Sequence, residues 1–250
     1  MDVLGIDIGG TGMKSAIVDT LTGELKTERL RYPTPGNGSP GEMADLIAKM
    51  VKELQWKGPV GCGFPGVIRN NVIFTAANLD KAWIGVNLAT LIRQRTRCTA
   101  QAVNDADAAG MAEMAHGAGK NKKGTVFLIT VGTGIGTALF VDGKLVPNTE
   151  LGHIMLKGRE AESIISDMAR REKGLSWKQW SARFSSYLNY LDTLFWPDLY
   201  IIGGGGAKKP EKFLPYMDCR VKIVSATYKN RAGIIGAAMA GINNKATSGS

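Results

Sequence analysis

The sequence predicts an α/β fold of two domains, because two glycine-rich hairpins occur at corresponding places in its two halves. In each hairpin a short apolar strand enters a turn of glycine and threonine residues and a second strand leaves it, at residues 3–19 and 125–141. Apolar residues at helical spacing follow the first hairpin at residues 42–54. A chain of 250 residues is long enough for two small domains around a central cleft.

The first half predicts three strands followed by alternating helices and strands. The expected strands cover residues 3–6, 16–19, 25–32, 59–64 and 99–103, and the expected helices cover residues 42–54, 87–96 and 105–116. A loop rich in proline and glycine at residues 33–40 ends the third strand. Asn87 is placed to cap the second helix.

After a connector at residues 117–124, the second half predicts further strands and helices. The strands cover residues 125–129, 138–141, 144–146 and 199–202, and the helices cover residues 176–195 and 233–242. Aromatic residues along one face of the helix at 176–195 are typical of a core or a dimer interface. The expected domains are 1–104 and 105–245, with the last helix (231–242) able to pack on the first domain and a disordered tail at 246–250.

The charge balance is basic, with 31 Lys and Arg against 22 Asp and Glu and a net charge of +9. This surplus predicts attraction to a polyanion, such as a nucleic acid, an acidic membrane surface or a polymeric phosphate. Neither a membrane-spanning helix nor a signal peptide is expected. The three cysteines are far apart and predict neither disulfides nor a metal knuckle, so we expect a cytoplasmic protein.

The turn of each hairpin is a candidate phosphate-binding site. Glycines there are expected to adopt positive φ values and to let a phosphate approach backbone N–H groups. In the first hairpin Asp7 adds a carboxylate able to hold a hydrated Mg²⁺. The candidate donor-binding residues are Asp7, Gly9, Gly10, Thr11 and Lys14 in the first hairpin, and Gly132, Thr133 and Gly134 in the second. Two hairpins that clamp a phosphate chain are typical of the actin, hexokinase and sugar-kinase architecture, although plain structural turns remain the alternative.

A polar segment follows the strand at residues 99–103, at a position where ligands bind in open α/β sheets. A kinase needs a carboxylate that orients the acceptor hydroxyl and takes its proton, and Asp105 is the candidate. Helix capping is the alternative explanation of an aspartate here. Asp107 is expected at the start of the helix, facing solvent.

Several polar side chains are suited to a polyhydroxylated substrate, because each sugar hydroxyl both donates and accepts hydrogen bonds. The candidates are Asn78, Asn104, Asp105, Glu150 and His153. A purely structural role is the alternative for His153, one of two histidines in the chain.

These motifs follow the order found in the ROK family of sugar kinases and repressors, which the chain resembles from about residue 2 to about residue 243. The motifs are Asp-Ile-Gly-Gly-Thr at 7–11, Asn-Asp-Ala-Asp at 104–107, Gly-Thr-Gly-Ile-Gly at 132–136, Glu-Leu-Gly-His at 150–153 and Ile-Gly-Gly-Gly at 202–205. The resemblance implies a hexokinase-like (ribonuclease H-like) fold and Asp105 as the catalytic base. It also adds Gly204 and Gly205 to the expected donor-binding residues.

One departure from the family pattern concerns zinc. Most members follow the histidine with a Cys-x-Cys-Gly-x-x-Gly-Cys zinc motif, whereas residues 154–162 contain no cysteine, so no zinc site is expected. The short zinc-free chain, with Ala-Ala-Asn-Leu-Asp-Lys-Ala-Trp-Ile-Gly at residues 76–85, resembles the polyphosphate glucokinases of the family. That resemblance implies a homodimer that uses Mg²⁺ and transfers phosphoryl groups from inorganic polyphosphate, and often ATP, to O6 of glucose.

Two other functions stay open at this point. One is a strictly ATP-dependent glucokinase or fructokinase, and the other is a sugar- or polyanion-binding protein without catalysis. Neither a nucleic acid nor a membrane is an expected partner, since no helix-turn-helix, RRM or KH pattern is visible. The candidate contacts for a polyphosphate chain are Lys14, Lys81, Lys120, Lys122 and Lys123.

Overall fold

The computed structural model describes residues 1–36, 38–76 and 79–242, which form two compact units. The first unit contains residues 1–112 and the described residues from Arg231 onward, and the second contains residues 113–230. The boundary therefore falls inside a helix and not at residue 104, because the first part of that helix packs within the first unit. The expected tail at 246–250 lies outside the described residues.

The strands are β1 (Asp2–Gly9), β2 (Gly12–Asp19), β3 (Glu24–Leu25), β4 (Leu30–Tyr32), β5 (Val60–Phe64), β6 (Ile68–Arg69), β7 (Val72–Ile73), β8 (Ala100–Asn104), β9 (Thr125–Val131), β10 (Ile135–Val141), β11 (Lys144–Val146), β12 (Met155–Leu156), β13 (Arg159–Glu160), β14 (Leu199–Gly203) and β15 (Ile223–Ser225). The helices are α1 (Pro40–Glu53), α2 (Leu88–Thr96), α3 (Asp105–His116), α4 (Glu162–Ile165), α5 (Asp167–Glu172), α6 (Trp177–Phe195) and α7 (Ala232–Ala240). None of the helices in the described part of the chain has both the length and the hydropathy needed to cross a bilayer.

The sheet of the first unit has the strand order β3-β2-β1-β5-β8, with β4 also paired to β2. β1, β5 and β8 run parallel, so their carboxyl ends meet at one edge. Side chains alternate along β1. Leu4, Ile6 and Ile8 belong to a core that includes Met43 and Ile47 of α1.

The opposite face of this sheet is covered by α7, whose backbone lies directly on the strands. A Cβ added to Gly61 would lie 1.7 Å from the carbonyl oxygen of Ala237, and one on Gly5 would lie 2.1 Å from that of Ile234. On its other side α7 touches α3, since a Cβ on Gly236 would lie 1.6 Å from the Ala108 oxygen. These glycines are required because any side chain would push the helix away from the sheet.

The sheet of the second unit has the order β11-β10-β9-β14-β15, in which β9, β14 and β15 are parallel. α6 packs its aromatic face into the core of this unit, where Trp180, Phe184 and Tyr187 are almost completely buried. The core role expected for this face is confirmed for these residues, whereas Leu194, near the end of the helix, is exposed.

A buried carboxylate ties the end of α3 to the segment that precedes α7. Glu113 is fully buried, and it accepts hydrogen bonds from the backbone N–H groups of Ala118, Thr227 and Tyr228. Three donors satisfy a charge that would otherwise be costly to bury.

The local structure differs from the sequence-based expectations in three respects. The strand expected at 25–32 is divided into β3 and β4, which pair separately with β2. Both hairpin turns are shorter than expected, because each strand runs further toward its turn and leaves residues 10–11 and 132–134 between them. Short hairpins at β6–β7 and β12–β13, and the strand β15, were not expected. The capping role of Asn87 is confirmed, since its side chain accepts from the Thr90 N–H at 2.9 Å.

The contact between α7 and the sheet predicts opposite effects for two glycine substitutions. Gly61→Ala should lower the free energy of unfolding by about 2 kcal/mol or more, because the new methyl group overlaps backbone that cannot move independently. Gly41→Ala in α1 is the control, since nothing lies within 4 Å of its added Cβ, and it should raise stability by up to about 1 kcal/mol. Urea unfolding of both variants measures the difference. Equal stability of the two variants would show that α7 is not held by direct backbone contact.

Candidate active site

The candidate catalytic residues of the first unit lie at the carboxyl edge of its parallel strands. Asp7 is opposite Gly63, and Gly63 is opposite Val103, so the ends of β1 and β8 are separated only by β5. Asp105 follows β8 and is the first residue of α3. This is the edge at which ligands bind in open α/β sheets.

The side chain of Asn104 holds the start of α3. Its Oδ1 accepts from the N–H groups of Ala106 and Asp107, at 2.8 and 3.0 Å, and its Nδ2 donates to the Gly66 oxygen at 3.2 Å. Asn104 therefore caps the helix, and Asp105 Oδ1 shares only the Ala106 N–H with it, at 2.8 Å. The expectation that Asp107 faces solvent is wrong, because Asp107, in the first turn of α3, is buried.

The first hairpin places a charged pair beside its turn. Lys14 Nζ lies 2.8 Å from Asp7 Oδ2, and the Asp7 carboxylate lies against Gly233 in the first turn of α7. The N-terminus of a helix carries a partial positive charge, so the start of α7 and the ammonium group of Lys14 lie on the same carboxylate as complementary charges. Gly10 and Thr11 are exposed at the tip of the turn.

Four glycines at the two hairpin turns lack the positive φ values that were expected there. Gly9, Gly12, Gly132 and Gly134 all have ordinary φ values. Close approach is the actual reason for glycine at Gly12, where a Cβ would lie 3.0 Å from the Tyr32 oxygen. The short distance between the backbones of β2 and β4 therefore explains this position.

The segment at 76–85 contains two further candidate residues, Lys81 and Asn78. Lys81 is exposed and donates to the Ala76 oxygen at 2.9 Å, while Trp83 is buried and donates to the Gly38 oxygen at 2.7 Å. Trp83 thus joins this segment to the loop at 33–40. The candidate sugar ligand Asn78 lies outside the described residues.

In the second unit two glycine loops lie side by side at the carboxyl edge of β9 and β14. The Gly206 N–H donates to the Val131 oxygen at 2.9 Å, and Gly204 has a φ of +86° with its Cα against the Val131 backbone. Gly132 follows Val131 directly, so residues 132–134 and 204–205, the expected donor-binding groups of this unit, adjoin one another. The N–H groups of Asp167 and Met168 donate to the Gly132 oxygen and so connect the start of α5 to the loop at 132–134.

The Glu-Leu-Gly-His motif is held on β10 next to the first of these loops. Thr137 on β10 donates to the Thr149 oxygen at 2.6 Å and accepts from the Leu151 N–H at 3.2 Å. Gly152 is required because a Cβ there would lie 2.3 Å from the Ile135 oxygen. Glu150 and His153 are thereby placed beside the turn at 132–134.

Two acidic residues that the sequence analysis did not identify, Glu160 and Glu162, lie next to His153. β12 and β13 form a hairpin in which Lys157 and Gly158 both have positive φ, as a two-residue type I′ turn requires. Glu160 at its end lies 3.4 Å from His153 Nδ1. Glu162 lies 4.0 Å from the same nitrogen and also accepts from the Ile135 N–H. The Lys-Gly turn was the local signal that would have predicted this hairpin.

The zinc motif of the family does not fit these residues. His153, Glu160 and Glu162 bring one nitrogen and two carboxylate oxygens within 4.8 Å of one another, without any thiolate. Structural zinc sites are closed sets of four ligands dominated by cysteine and histidine, whereas this group has three and is largely exposed. The absence of zinc remains a prediction.

The surroundings of Glu150 change the pKa of its carboxyl group. Burial raises the pKa of the Glu150 carboxyl, and nearby Glu162 raises it further while His153 opposes the shift. His153 Nε2 lies 3.9 Å from Glu150 Oε2, so the imidazole stands between Glu150 on one side and Glu160 on the other. These groups together offer acceptors and donors suited to sugar hydroxyls.

The connector lysines lie away from the glycine loops. Lys122 and Lys123 precede the amino end of β9. At that end the Gly124 N–H donates to the Asp142 carboxylate, and the Thr125 N–H donates to the Asp198 carboxylate. The turn at 132–134 follows the carboxyl end of the same strand. Seven residues of β9 put about 20 Å between the two ends, so these lysines lie far from the turn at 132–134.

Comparison with known proteins gives a consistent result. The model of the ROK family matches residues 3–171. The polyphosphate glucokinase of Mycobacterium tuberculosis (strain CDC 1551 / Oshkosh) is 42% identical over 239 residues, which cover 95% of this chain and 90% of that protein. The crystal structure of the inorganic polyphosphate/ATP-glucomannokinase from Arthrobacter sp. strain KM matches with a TM-score of 0.91 and 45% identity, over 95% of this chain and 97% of that one.

A more distant structure shares the fold. The ROK family glucokinase from Streptomyces griseus, in complex with glucose and AMPPNP, matches with a TM-score of 0.83 at 21% identity, over 98% of this chain and 100% of that one. The fold is thus that of the hexokinase-like ROK sugar kinases, as the hairpins and motif order predicted.

The position of Glu160 predicts the tautomer of His153. An ionised carboxylate only accepts, so Nδ1 should carry the proton and leave the lone pair on Nε2. Glu160→Ala should weaken this preference, as measured by ¹⁵N NMR of the neutral imidazoles, with His116 as an internal reference. Glu172→Ala removes an exposed carboxylate elsewhere and should change neither ring. An unchanged His153 tautomer in Glu160→Ala would contradict the assignment.

Proposed function

The chain belongs to the ROK family, and we propose that it is a glucokinase that transfers a phosphoryl group from inorganic polyphosphate to O6 of glucose. ATP is proposed as a second donor, as the name of the Arthrobacter enzyme suggests. The observation that carries the proposal is the whole-chain similarity to a polyphosphate glucokinase, extending over 95% of this chain. A carboxylate at the end of β8 and the paired glycine loops are the groups that such a reaction needs.

The proposed base is Asp105, with Asn104 as its positioning residue. Asp105 accepts the proton of the O6 hydroxyl as O6 forms a bond to the terminal phosphorus, and the bond from that phosphorus to the rest of the donor breaks. The products are glucose 6-phosphate and a donor shorter by one phosphate. Asn104 fixes the first turn of α3 and so fixes the direction of the carboxylate.

We assign glucose binding to Asn78, Asn104, Asp105, Glu150 and His153. Support for Glu150 and His153 comes from the position of their segment beside β10, where the contacts of Thr137 with Leu151 and of Gly152 with Ile135 hold it. Glu162 joins them, because it contacts both His153 and the turn at 132–134. Sites that bind substrate hydroxyls discriminate sharply, since a missing hydroxyl leaves buried polar groups unpaired.

Donor phosphates are assigned to the glycine turns of both units. Gly9, Gly10 and Thr11 supply groups from the first unit, together with Lys14 and Lys81, while Gly132, Thr133, Gly134, Gly204 and Gly205 supply groups from the second. Asp7 fits a hydrated Mg²⁺, which typically binds proteins through one or two carboxylates and through substrate phosphates. Bound Mg²⁺ would neutralise charge that develops on the donor phosphates.

We also propose that the protein is a cytoplasmic homodimer. Cys62, Cys98 and Cys219 are free thiols, which suits a reducing compartment. Leu194 and Trp196 expose 54% and 70% of their surface at the end of α6, where a second copy could cover them. Sedimentation velocity measures the oligomeric state.

The donor assignment predicts the outcome of a coupled assay that detects glucose 6-phosphate. Long-chain polyphosphate with Mg²⁺ should support turnover at least as efficiently as ATP, because the basic protein attracts a polyanion at long range. The KM for polyphosphate should rise more steeply with salt than the KM for ATP. Turnover with ATP alone would leave an ATP-dependent sugar kinase, and no turnover with either donor would leave a sugar-binding protein.

The assignment of the base predicts that Asp105→Ala and Asp105→Asn each lower kcat by roughly 10²–10⁴-fold, the usual contribution of a positioned acid–base group. Folding should survive, since Asn104 provides the helix cap. Asp45→Ala, which removes an exposed carboxylate on α1, is the control and should leave kcat unchanged. Normal turnover in a folded Asp105 variant would exclude this residue as the base.

A further inference from the structure

We infer that Lys208, Lys209 and Lys212, hereafter the lysine cluster, bind the part of an inorganic polyphosphate chain that extends beyond the reacting phosphate. The inference deepens the proposed function and rests on it. None of the motifs considered in the sequence identified these residues as a donor site.

The lysine cluster begins next to the paired glycine loops. The Gly206 N–H is bonded to the Val131 oxygen, one residue before Gly132, and Ala207 is buried in the core of the unit. Lys208 is two residues beyond Gly206, a distance of at most about 7 Å even in extended chain. A flexible lysine side chain adds further reach, so its ammonium group can serve a chain that leaves the loops.

The chain keeps these lysines close to that edge after residue 208. The Lys212 N–H donates to the Lys209 oxygen in a 3₁₀ turn, and the next residue, Phe213, is fully buried against Trp177 and Trp180. Buried residues therefore anchor the segment on both sides, while the three lysines themselves are exposed. A backbone that is anchored on both sides and carries exposed cations is suited to binding a polyanion along its length.

Other cations near the same loops already have partners. Arg170 and Arg171 both pair with Asp167, at 3.0 and 2.7 Å, and Lys173 donates to the Ser163 oxygen at 2.5 Å. Within residues 1–36, 38–76 and 79–242, no ion pair or side-chain hydrogen bond involves the lysine cluster. Glu211 is the acidic residue within the segment, which leaves a net positive charge there.

The lysines favoured from the sequence are less suitable. Lys14 is paired with Asp7, and Lys81 donates to the Ala76 oxygen. Lys122 and Lys123 are at the far end of β9, about 20 Å from the turn that follows that strand. The lysine cluster is thus the group of exposed, unpaired cations that directly follows a candidate donor loop.

The charge pattern fits a polymeric phosphate better than a nucleotide. A nucleotide carries its charge on a few phosphates and ends in a ribose and a base, so further cations gain little from it. A polymer carries about one charge per phosphate, and each additional lysine along its path releases counterions and adds affinity, by analogy with nucleic acids. We therefore expect the lysine cluster to act on long chains.

The test compares two double variants that remove the same charge at different places. Lys208→Ala/Lys209→Ala removes two cations beside the glycine loops, and Lys122→Ala/Lys123→Ala removes two at the opposite end of β9. Each is assayed with long-chain polyphosphate, short-chain polyphosphate and ATP over a range of salt concentrations. Thermal unfolding checks the fold of both variants, which should be normal because all four side chains are exposed.

We expect Lys208→Ala/Lys209→Ala to raise the KM for long-chain polyphosphate at least about fivefold more than the KM for ATP. The slope of log(kcat/KM) against log(salt) for the long chain should become less negative by about 1–2, one for each lost phosphate contact. The effect on short-chain polyphosphate should be smaller. Lys122→Ala/Lys123→Ala should change the KM values for the three donors by similar, small factors.

Two results would overturn the inference while leaving the proposed function intact. Equal effects of the two double variants on long-chain use would show that net charge alone matters. An equal rise in KM for ATP and for long chains would show that the lysines act on the shared donor site or on its folding. Failure of the wild-type protein to use polyphosphate would instead overturn the proposed donor.

Discussion

The organisation of the first unit depends on direct backbone contact between α7 and the strands beneath it. Gly5 and Gly61 remove the side chains that would otherwise separate the helix from the sheet, and Gly236 does the same between α7 and α3. Because helix and sheet touch without intervening side chains, the start of α7 lies against the Asp7 carboxylate. A small displacement of this helix would therefore alter the electrostatic environment of the first hairpin.

The second unit uses the same physical device for different residues. Gly204 allows the chain after β14 to pass against Val131, and Gly152 allows the motif at 150–153 to lie against Ile135. The candidate donor loops of this unit and the candidate sugar ligands Glu150 and His153 are thus placed by short backbone distances, which are more rigid than contacts between long side chains. At Gly5, Gly61 and Gly152 glycine provides proximity, whereas Gly204 combines close approach with a left-handed φ of +86°.

Ion pairing within the protein, and not charge alone, decides which lysine and arginine side chains are free to bind an anion. Arg170, Arg171 and Lys14 are neutralised by aspartates, and Arg95 and Arg220 are paired in the same way. The basic surplus of the whole chain attracts polyanions from a distance. Lys208, Lys209 and Lys212, which are exposed close to the glycine loops of the second unit, are the cations that we propose hold such a molecule once it arrives.

Local patterns in the sequence determined the fold class, the order of the long strands and helices, and the family. The two glycine-threonine turns and Asp105 after β8 could be identified because each depends on a few adjacent residues. Only the tertiary structure showed that Asn104 caps α3, that Asp107 is buried and that Glu160 and Glu162 adjoin His153. It also placed the unit boundary inside α3, and it placed Lys122 and Lys123 at the opposite end of β9 from the turn at 132–134. These features depend on backbone approaches between residues far apart in the chain, such as Gly61 with Ala237, and no local pattern encodes those distances.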